Sequence, residues 1–356
     1  MTILLAGGGT AGHVNPLLAV ADAIRDREPD AEILVLGTAE GLEAALVPAR
    51  GYELAIIPKL PFPRRPNLAA VRFPGEFART VRRVRRLFDE RGVELVAGFG
   101  GFASAPAYVA ARGRVPLLIH EANAMPGLAN KLGARWADTV AVAFPNTPMR
   151  GAVVTGMPLR REIERLDRAA ARPEAIERFG LDPERRTILV TGGSQGARRI
   201  NETIREIGPD LIAAGWQVLH VVGRLSPFED PMLEHYRVLE YCDRMDLAFA
   251  AADFVVARAG ASTACELMAV GLPTLFIPYA VGNGEQAVNI RSFVEADAAR
   301  THRDADFTPE WARAELLPML ADAPGLAAMG ERAAAAGVRD GADRFAEFIL
   351  AARGAR

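Results

Sequence analysis

The chain holds only two cysteines and two lysines in 356 residues. Cys242 and Cys265 lie far apart and match no metal-ligand spacing, which reads as two reduced, buried thiols in a cytosolic protein. The start, MTILLAGGGTAG, lacks a basic segment and its apolar run is short, so no signal peptide is expected. Nowhere do about 18 apolar residues run uninterrupted, so a spanning helix is excluded and any membrane contact is peripheral. A net charge of −2 offers no general attraction to nucleic acid. Familiar nucleotide motifs are missing too. No G-K-[ST] follows a glycine loop, which excludes a P-loop. The second expected strand ends in Gly37-Thr38 with no acidic residue to hold a ribose, so the dinucleotide fingerprint is incomplete. The Asp-x-Asp at 304–306 falls in an expected surface loop, so no protein-bound catalytic metal is expected.

What is present is alternation. Half the residues are hydrophobic and 24% are charged, an ordinary globular balance. The length suggests two domains. TILLA, EILVLG, ELVAG, PLLIH and DTVAVAF read as buried parallel strands. Helical patterns occupy 14–27, 76–91, 104–112 and 125–134 between them. The series then restarts, with strands at 187–191, 217–222, 253–257 and 274–277 and helices near 197–207, 262–270, 285–295 and 309–320. Two such series predict two doubly wound α/β domains, joined within 156–174, where charge density rises. An alanine-rich helical tail follows at 323–353.

Three glycine loops each follow a strand and open a helix: GGGTAGH at 7–13, GFGGFASAP at 98–106 and GGSQGARRIN at 192–201. Glycine allows close backbone approach, and a helix N-terminus offers N–H groups to an anion. Tight strand–helix packing is the plainer alternative for any one of them. The densest signal is VVARAGASTACELMAVGLPTLFIP at 255–278. Its small, hydroxyl-rich turn can meet a diphosphate. Glu266, on the helix after it, can accept two bonds from a ribose diol or simply favour the helix start. PYAVGNGEQAVNI at 278–290 adds Glu285, Gln286 and Asn289, and Arg160 stands at the joint, able to neutralise a diphosphate.

Six segments together resemble the MurG family of glycosyltransferases: GGGTAGHVNPLLAVADAI, GFGGFASAPAYVAA, HEANAMPGLANKLGA, TGMPLR, TGGSQGARRIN and ARAGASTACELMAVGLPTLFIPYAVGNGEQAVNI. They cover essentially the whole chain, in the family's order. The resemblance implies an α/β protein of the GT-B fold, two Rossmann-like doubly wound domains facing across a deep cleft. It implies an N-terminal domain over 1–159, a donor domain over 160–338, and a last helix at 339–356 crossing back to the first. The implied reaction is inverting transfer of GlcNAc from UDP-GlcNAc to the MurNAc 4-hydroxyl of lipid I. Lipid I is an undecaprenyl-diphosphate-linked muramyl-pentapeptide, and the product is lipid II for peptidoglycan. The setting would be the cytoplasmic face of the cell membrane, with the anionic lipid surface and other cell-wall synthesis proteins as partners, and with roles in cell shape and division.

Carried over by motif, the donor site takes Thr10, Ala11, Gly12, Asn123, Arg160, Ser194, Cys242, Ala261, Ser262, Thr263, Glu266 and Gln286. Glu266 would hold the ribose, Gln286 and Asn123 the sugar, and backbone near Cys242 the uracil. The acceptor side takes Gly8, Gly9, Thr10, Gly12, His13, Phe102 and Glu121. Backbone N–H groups of residues 8 to 12 suit the acceptor's diphosphate. The attacking hydroxyl must lose a proton, and His13 or Glu121 would be the base. The chain departs from the commonest family pattern at Phe102, often Tyr, at Met157, often Asn, at Ala259-Gly260, often Ser-Gly, and at Glu285. Another GT-B glycosyltransferase, or a non-catalytic sugar-nucleotide-binding protein, are the competing readings. In 72–91, Phe73, Phe77, Val81, Val84 and Phe88 recur at helical spacing amid Arg79, Arg82, Arg83, Arg85 and Arg86. With Arg64, Arg65 and the LPFP before them, they form a candidate lipid-facing surface, or else an ordinary packed helix.

Overall fold

The structure is a computed structural model that describes residues 1–63, 68–279 and 284–352. Arg64 and Arg65 therefore lie outside the described residues. The chain divides into two compact units, Met1–Arg160 with Arg339–Arg356, and Arg161–Val338.

Unit 1 is a seven-stranded sheet in the order β3-β2-β1-β4-β5-β6-β7. Its strands are β1 Thr2–Ala6, β2 Glu32–Gly37, β3 Glu53–Ile56, β4 Val93–Gly98, β5 Leu117–Glu121, β6 Thr139–Val142 and β7 Val153–Val154. Every pairing is parallel. The sequence explains why. Successive side chains of a strand point to opposite faces, so a strand covered on both sides must be apolar throughout. Ile3 and Leu5 enter one core with Leu17, Ala21 and Ile24 of helix α1 (Ala11–Arg27). Leu4 and Ala6 enter the opposite core with Val84 and Phe88 of α3 (Leu68–Arg91) and Tyr108 of α4 (Ser104–Ala111). The helix Gly341–Ala351 completes the first face through Phe345, Ala346 and Ile349. It is also tied by Arg27 to Asp343 and Glu347.

Unit 2 repeats the plan with six parallel strands in the order β10-β9-β8-β11-β12-β13. These are β8 Arg186–Thr191, β9 Trp216–Val221, β10 Tyr236–Leu239, β11 Phe254–Ala257, β12 Thr274–Phe276 and β13 Arg300–Thr301. In each sheet the strand order reverses beside the first strand, between β1 and β4 and between β8 and β11. Crevices beyond the carboxyl ends of such strands are where doubly wound sheets bind ligands. The three glycine loops and the turn after Ala257 leave the four strands that flank these two points.

Several expected elements change in detail. The tail is two helices, Ala323–Ala336 and Gly341–Ala351, broken at Gly337. A Cβ there would lie 2.5 Å from Ala269 N, so the chain passes too close to continue as a decorated helix. The stretch 285–295 is two short helices meeting at Ile290. The stretch 309–320 contains a π segment, Ala312–Leu316, just before Leu317–Ala321. Pro318 has no N–H, and its ring crowds the carbonyl of Ala314, which accounts for the wider turn. The unexpected strands β3, β7, β10 and β13 are all at or next to sheet edges, where short, half-polar segments escape a hydrophobicity pattern.

Candidate active site

At the switch point of unit 1, the loops after β1 and β4 lie back to back. A Cβ on Gly101 would sit 2.3 Å from Gly8 O, so this contact requires glycine. Phe102 turns its ring toward Gly9, where a Cβ would lie 3.9 Å from the ring edge. Lys59 Nζ stands 5.2 Å from the centre of that ring, so a cation accompanies the loop although Phe102 lacks the tyrosine hydroxyl.

The row of N–H donors expected from residues 8 to 12 needs correction. Gly9 N–H already donates to Glu43 Oε2 at 2.7 Å. That takes Gly9 out of the expected row and leaves Gly8, Thr10, Ala11 and Gly12 as its candidate donors. Thr10 is the N-cap of α1 with extended backbone and no side-chain cap bond, and α1 has no acidic residue in its first turn. A Cβ on Gly12 would meet only Thr10 Oγ1, at 3.8 Å, so Gly12 borders open space and not packed protein.

His13 sits in the first turn of α1. Its Nδ1 is 3.2 Å from Gly8 O and 3.4 Å from Thr10 Oγ1. A carbonyl can only accept, so this pairing puts the proton on Nδ1 and leaves the lone pair on Nε2. A Cβ on Gly100 would lie 3.2 Å from Nε2, so glycine there leaves room for the ring.

Glu121, at the end of β5, is buried, and its oxygens are occupied. Oε1 accepts from Asn123 N at 2.9 Å and Asn123 Nδ2 at 3.3 Å. Oε2 accepts from Gly127 N at 2.9 Å and Asn130 Nδ2 at 2.9 Å. Four donors fill the carboxylate's directions, so this geometry makes Glu121 the clasp of the 122–127 turn and argues against its use as a base. Asn130, which the sequence reading missed, also accepts from Tyr108 O–H at 2.7 Å. Its place in HEANAMPGLANKLGA was visible, but nothing in the pattern marked it as buried. His120 is fully buried between Phe99 and Phe345, with Nε2 2.9 Å from Gly156 O. Burial pushes its imidazole down to about 4, so it stays neutral.

In unit 2, β11 ends at Ala257 and the helix Ala261–Ala269 begins after an extended Gly260. Nothing lies within 4 Å of a Cβ placed on Gly260. Ser262 and Thr263 are in the first turn, which carries no acidic residue, and Ser262 Oγ is buried with no hydrogen-bond partner among the described residues. A ligand atom would satisfy such an orphan hydroxyl. Glu266 follows in the second turn, half-buried. Burial first, and the Glu266 charge second, raise the Cys265 thiol.

Gln286 accepts Tyr279 N–H through Oε1 at 2.8 Å, so its amide nitrogen is the donor end. Asn289 Nδ2 reaches Ala259 O at 3.4 Å and ties that helix to the same turn. Arg258 donates to Ile277 O at 3.0 Å and Asp304 at 2.6 Å. Asp304 is therefore part of a half-buried ion pair and not of a plain surface loop. Ser194 is exposed on the loop after β8, and Arg224 N–H donates to its carbonyl at 3.1 Å. Cys242 is buried, and burial pushes its thiol up to about 11, which keeps it protonated near neutral pH. Arg160 is the half-buried last residue of the first stretch of unit 1. Met157 is buried against the start of the helix Gly341–Ala351. Among the described residues, no group of three or more His, Cys, Asp or Glu side chains is placed to hold a metal ion.

Comparison with known proteins places these features in a family. The glycosyltransferase family 28 N-terminal domain matches residues 3–142, and the glycosyltransferase family 28 C-terminal domain matches residues 187–345. A relative from Leifsonia xyli subsp. xyli is 62% identical over 347 residues, covering 97% of each chain. It is named UDP-N-acetylglucosamine–N-acetylmuramyl-(pentapeptide) pyrophosphoryl-undecaprenol N-acetylglucosamine transferase. A relative of the same name from Streptomyces coelicolor is 49% identical, covering 100% of this chain and 99% of its own. The crystal structure of MurG from Acinetobacter baumannii aligns with a TM-score of 0.78 at 26% identity, covering 98% of this chain and 99% of that one. The chain belongs to glycosyltransferase family 28, with the GT-B fold, and within it to the MurG transferases.

Proposed function

We infer that this chain transfers GlcNAc from UDP-GlcNAc to the 4-hydroxyl of the muramyl sugar of undecaprenyl-diphosphate-linked muramyl-pentapeptide, the lipid I to lipid II step of peptidoglycan synthesis. The observation that carries this is 62% identity, over 97% of both chains, to a relative named for that reaction. The muramyl oxygen attacks the anomeric carbon, the bond from that carbon to the diphosphate breaks, and UDP leaves with the electron pair. The hydroxyl proton passes to His13 Nε2. Thr10, Ala11 and Gly12 N–H groups bind the acceptor's diphosphate at the start of α1. Glu266 binds the donor ribose, Gln286 and Asn123 the sugar, and backbone near Cys242 the uracil. Arg160, Ser194, Ala261, Ser262 and Thr263 receive the diphosphate as its charge grows. Transfer of radiolabelled sugar to a short-chain lipid I analogue tests the reading. Binding of UDP-GlcNAc without transfer would support a sugar-nucleotide-binding protein, and transfer to other acceptors alone would support a different GT-B enzyme.

The setting we propose is peripheral, at the cytoplasmic face of the cell membrane, beside other wall-synthesis proteins. No helix of the described residues is long and apolar enough to cross a membrane. The α3 stripe has two parts. Val81, Val84 and Phe88 are buried in the core, as in any packed helix. Toward its start, Phe73 stacks on Phe77 at 5.6 Å and meets Phe62 in a tilted pair at 5.3 Å, and Phe62 and Val71 are exposed. Arg79, Arg82, Arg83, Arg85 and Arg86 are all exposed. An apolar cluster beside a basic face supports binding to anionic lipid. Co-sedimentation with vesicles should require anionic lipid and weaken with salt. Equal binding to neutral vesicles would remove the electrostatic part.

A further inference from the structure

Glu43 opens helix α2 (Glu43–Ala49) and is fully buried, and among the described residues the influences on its carboxyl are burial and hydrogen bonds rather than a cation. Its partners are hydrogen-bond donors. Oε2 takes Gly9 N–H at 2.7 Å, and Oε1 takes Thr38 N–H and Thr38 Oγ1–H, both at 2.9 Å. Three glycines from three segments close around it. Cβ atoms on Gly8, Gly37 and Gly41 would lie 2.3, 2.5 and 2.0 Å from its side chain. The glycine density of the first loop thus serves this carboxylate as well as any ligand. Burial pushes the Glu43 carboxyl up, but the bonds from Gly9 and Thr38 outweigh it and hold the group below the usual carboxylate range. A bare anion is therefore built into the floor of the loop.

The peptide that Glu43 holds is the one between Gly8 and Gly9. Its N–H faces Glu43, and its carbonyl, on the opposite edge of the same plane, faces His13 Nδ1 at 3.2 Å. Turning that peptide to satisfy the carboxylate aims the carbonyl at the imidazole. We propose that Glu43 is a positioning residue for His13, acting through the Gly8–Gly9 peptide to hold the imidazole in the tautomer whose Nε2 is basic. The arrangement does what a carboxylate bound directly to a histidine does, with one planar peptide inserted. This rests on the reading of His13 as the base.

The test uses the full-length enzyme, a short-chain lipid I analogue and UDP-GlcNAc. Glu43→Gln keeps the shape but cannot accept from both Gly9 and Thr38 without turning its amide donor on one of them. Turnover should fall roughly 10- to 100-fold, by analogy with the loss of an outer partner of a metal-bound histidine. The KM for UDP-GlcNAc should stay unchanged. In a His13→Ala background the same substitution should cost nothing further, since residues acting as a unit are non-additive. A loss that multiplies fully with that of His13→Ala, or wild-type turnover in Glu43→Gln, overturns the proposal and leaves His13 as base. Normal turnover in His13→Ala would instead remove the base reading and the proposal with it. A measurement independent of any Glu43 variant's folding is the tautomer itself. In ¹⁵N-histidine-labelled protein at alkaline pH, the resonance that His13→Ala removes should show a protonated Nδ1. A protonated Nε2 would overturn the proposal.

Discussion

Replacing His13 by alanine is expected to lower turnover by roughly 10²- to 10⁴-fold while leaving UDP-GlcNAc binding intact. That range is the usual contribution of a positioned general base. Geometry supports this proposed role. Nδ1 is turned to the Gly8 carbonyl, so the lone pair sits on Nε2. The rival, Glu121, has both oxygens taken by Asn123, Gly127 and Asn130. On this reading, Glu121 does not replace the imidazole when it is removed. The acidic limb of the pH–rate profile, where the base becomes protonated and inactive, should vanish with it. Glu121→Gln should behave differently. It loosens the 122–127 turn, and its effect should appear as lowered thermal stability as well as lowered activity. Near-normal turnover in His13→Ala would show that the imidazole only caps its helix.

The two parallel sheets were legible because a strand buried on both faces must be apolar throughout, as TILLA and TILVT are. Glycine turns follow the strands at both switch points, and in unit 1 two backbones converge there, Gly101 against Gly8. What the sequence concealed was which glycines serve the protein itself. Gly8 and Gly101 are filled from behind by Glu43 and by each other, whereas Gly12 and Gly260 face open space. All four read alike in one dimension. Glu43 was hidden by a related effect. An acid that holds a ribose belongs at the strand end, whereas the acid of GTAEGLE lies five residues past Thr38, folded beneath the loop. Burial of a carboxylate without a cation has no sequence signature when most of its partners are backbone N–H groups, as Gly9 and Thr38 supply here.

Glu266→Ala is expected to raise the KM for UDP-GlcNAc by roughly 30- to 1,000-fold. The helix Ala261–Ala269 starts with no acidic residue in its first turn and an open Gly260, so its N–H groups are available to a diphosphate. On the proposed reading, a ribose attached to that diphosphate would fall within a turn of the helix, where Glu266 is the acid. Two charge-assisted bonds to the diol contribute about 2–4 kcal/mol, which at about 1.4 kcal/mol per decade gives the stated range. The ribose does not react, so the interaction is the same in ground and transition states. Turnover at saturating donor should then change little. Competition by UDP, which keeps the ribose and lacks the sugar, separates this role from its neighbour's. Glu266→Ala should weaken inhibition by UDP as much as it weakens the donor. Gln286→Ala should weaken the donor and spare UDP if its amide, whose Oε1 accepts Tyr279 N–H, contacts the sugar as proposed. Unchanged UDP inhibition in Glu266→Ala would take this carboxylate out of the nucleotide site.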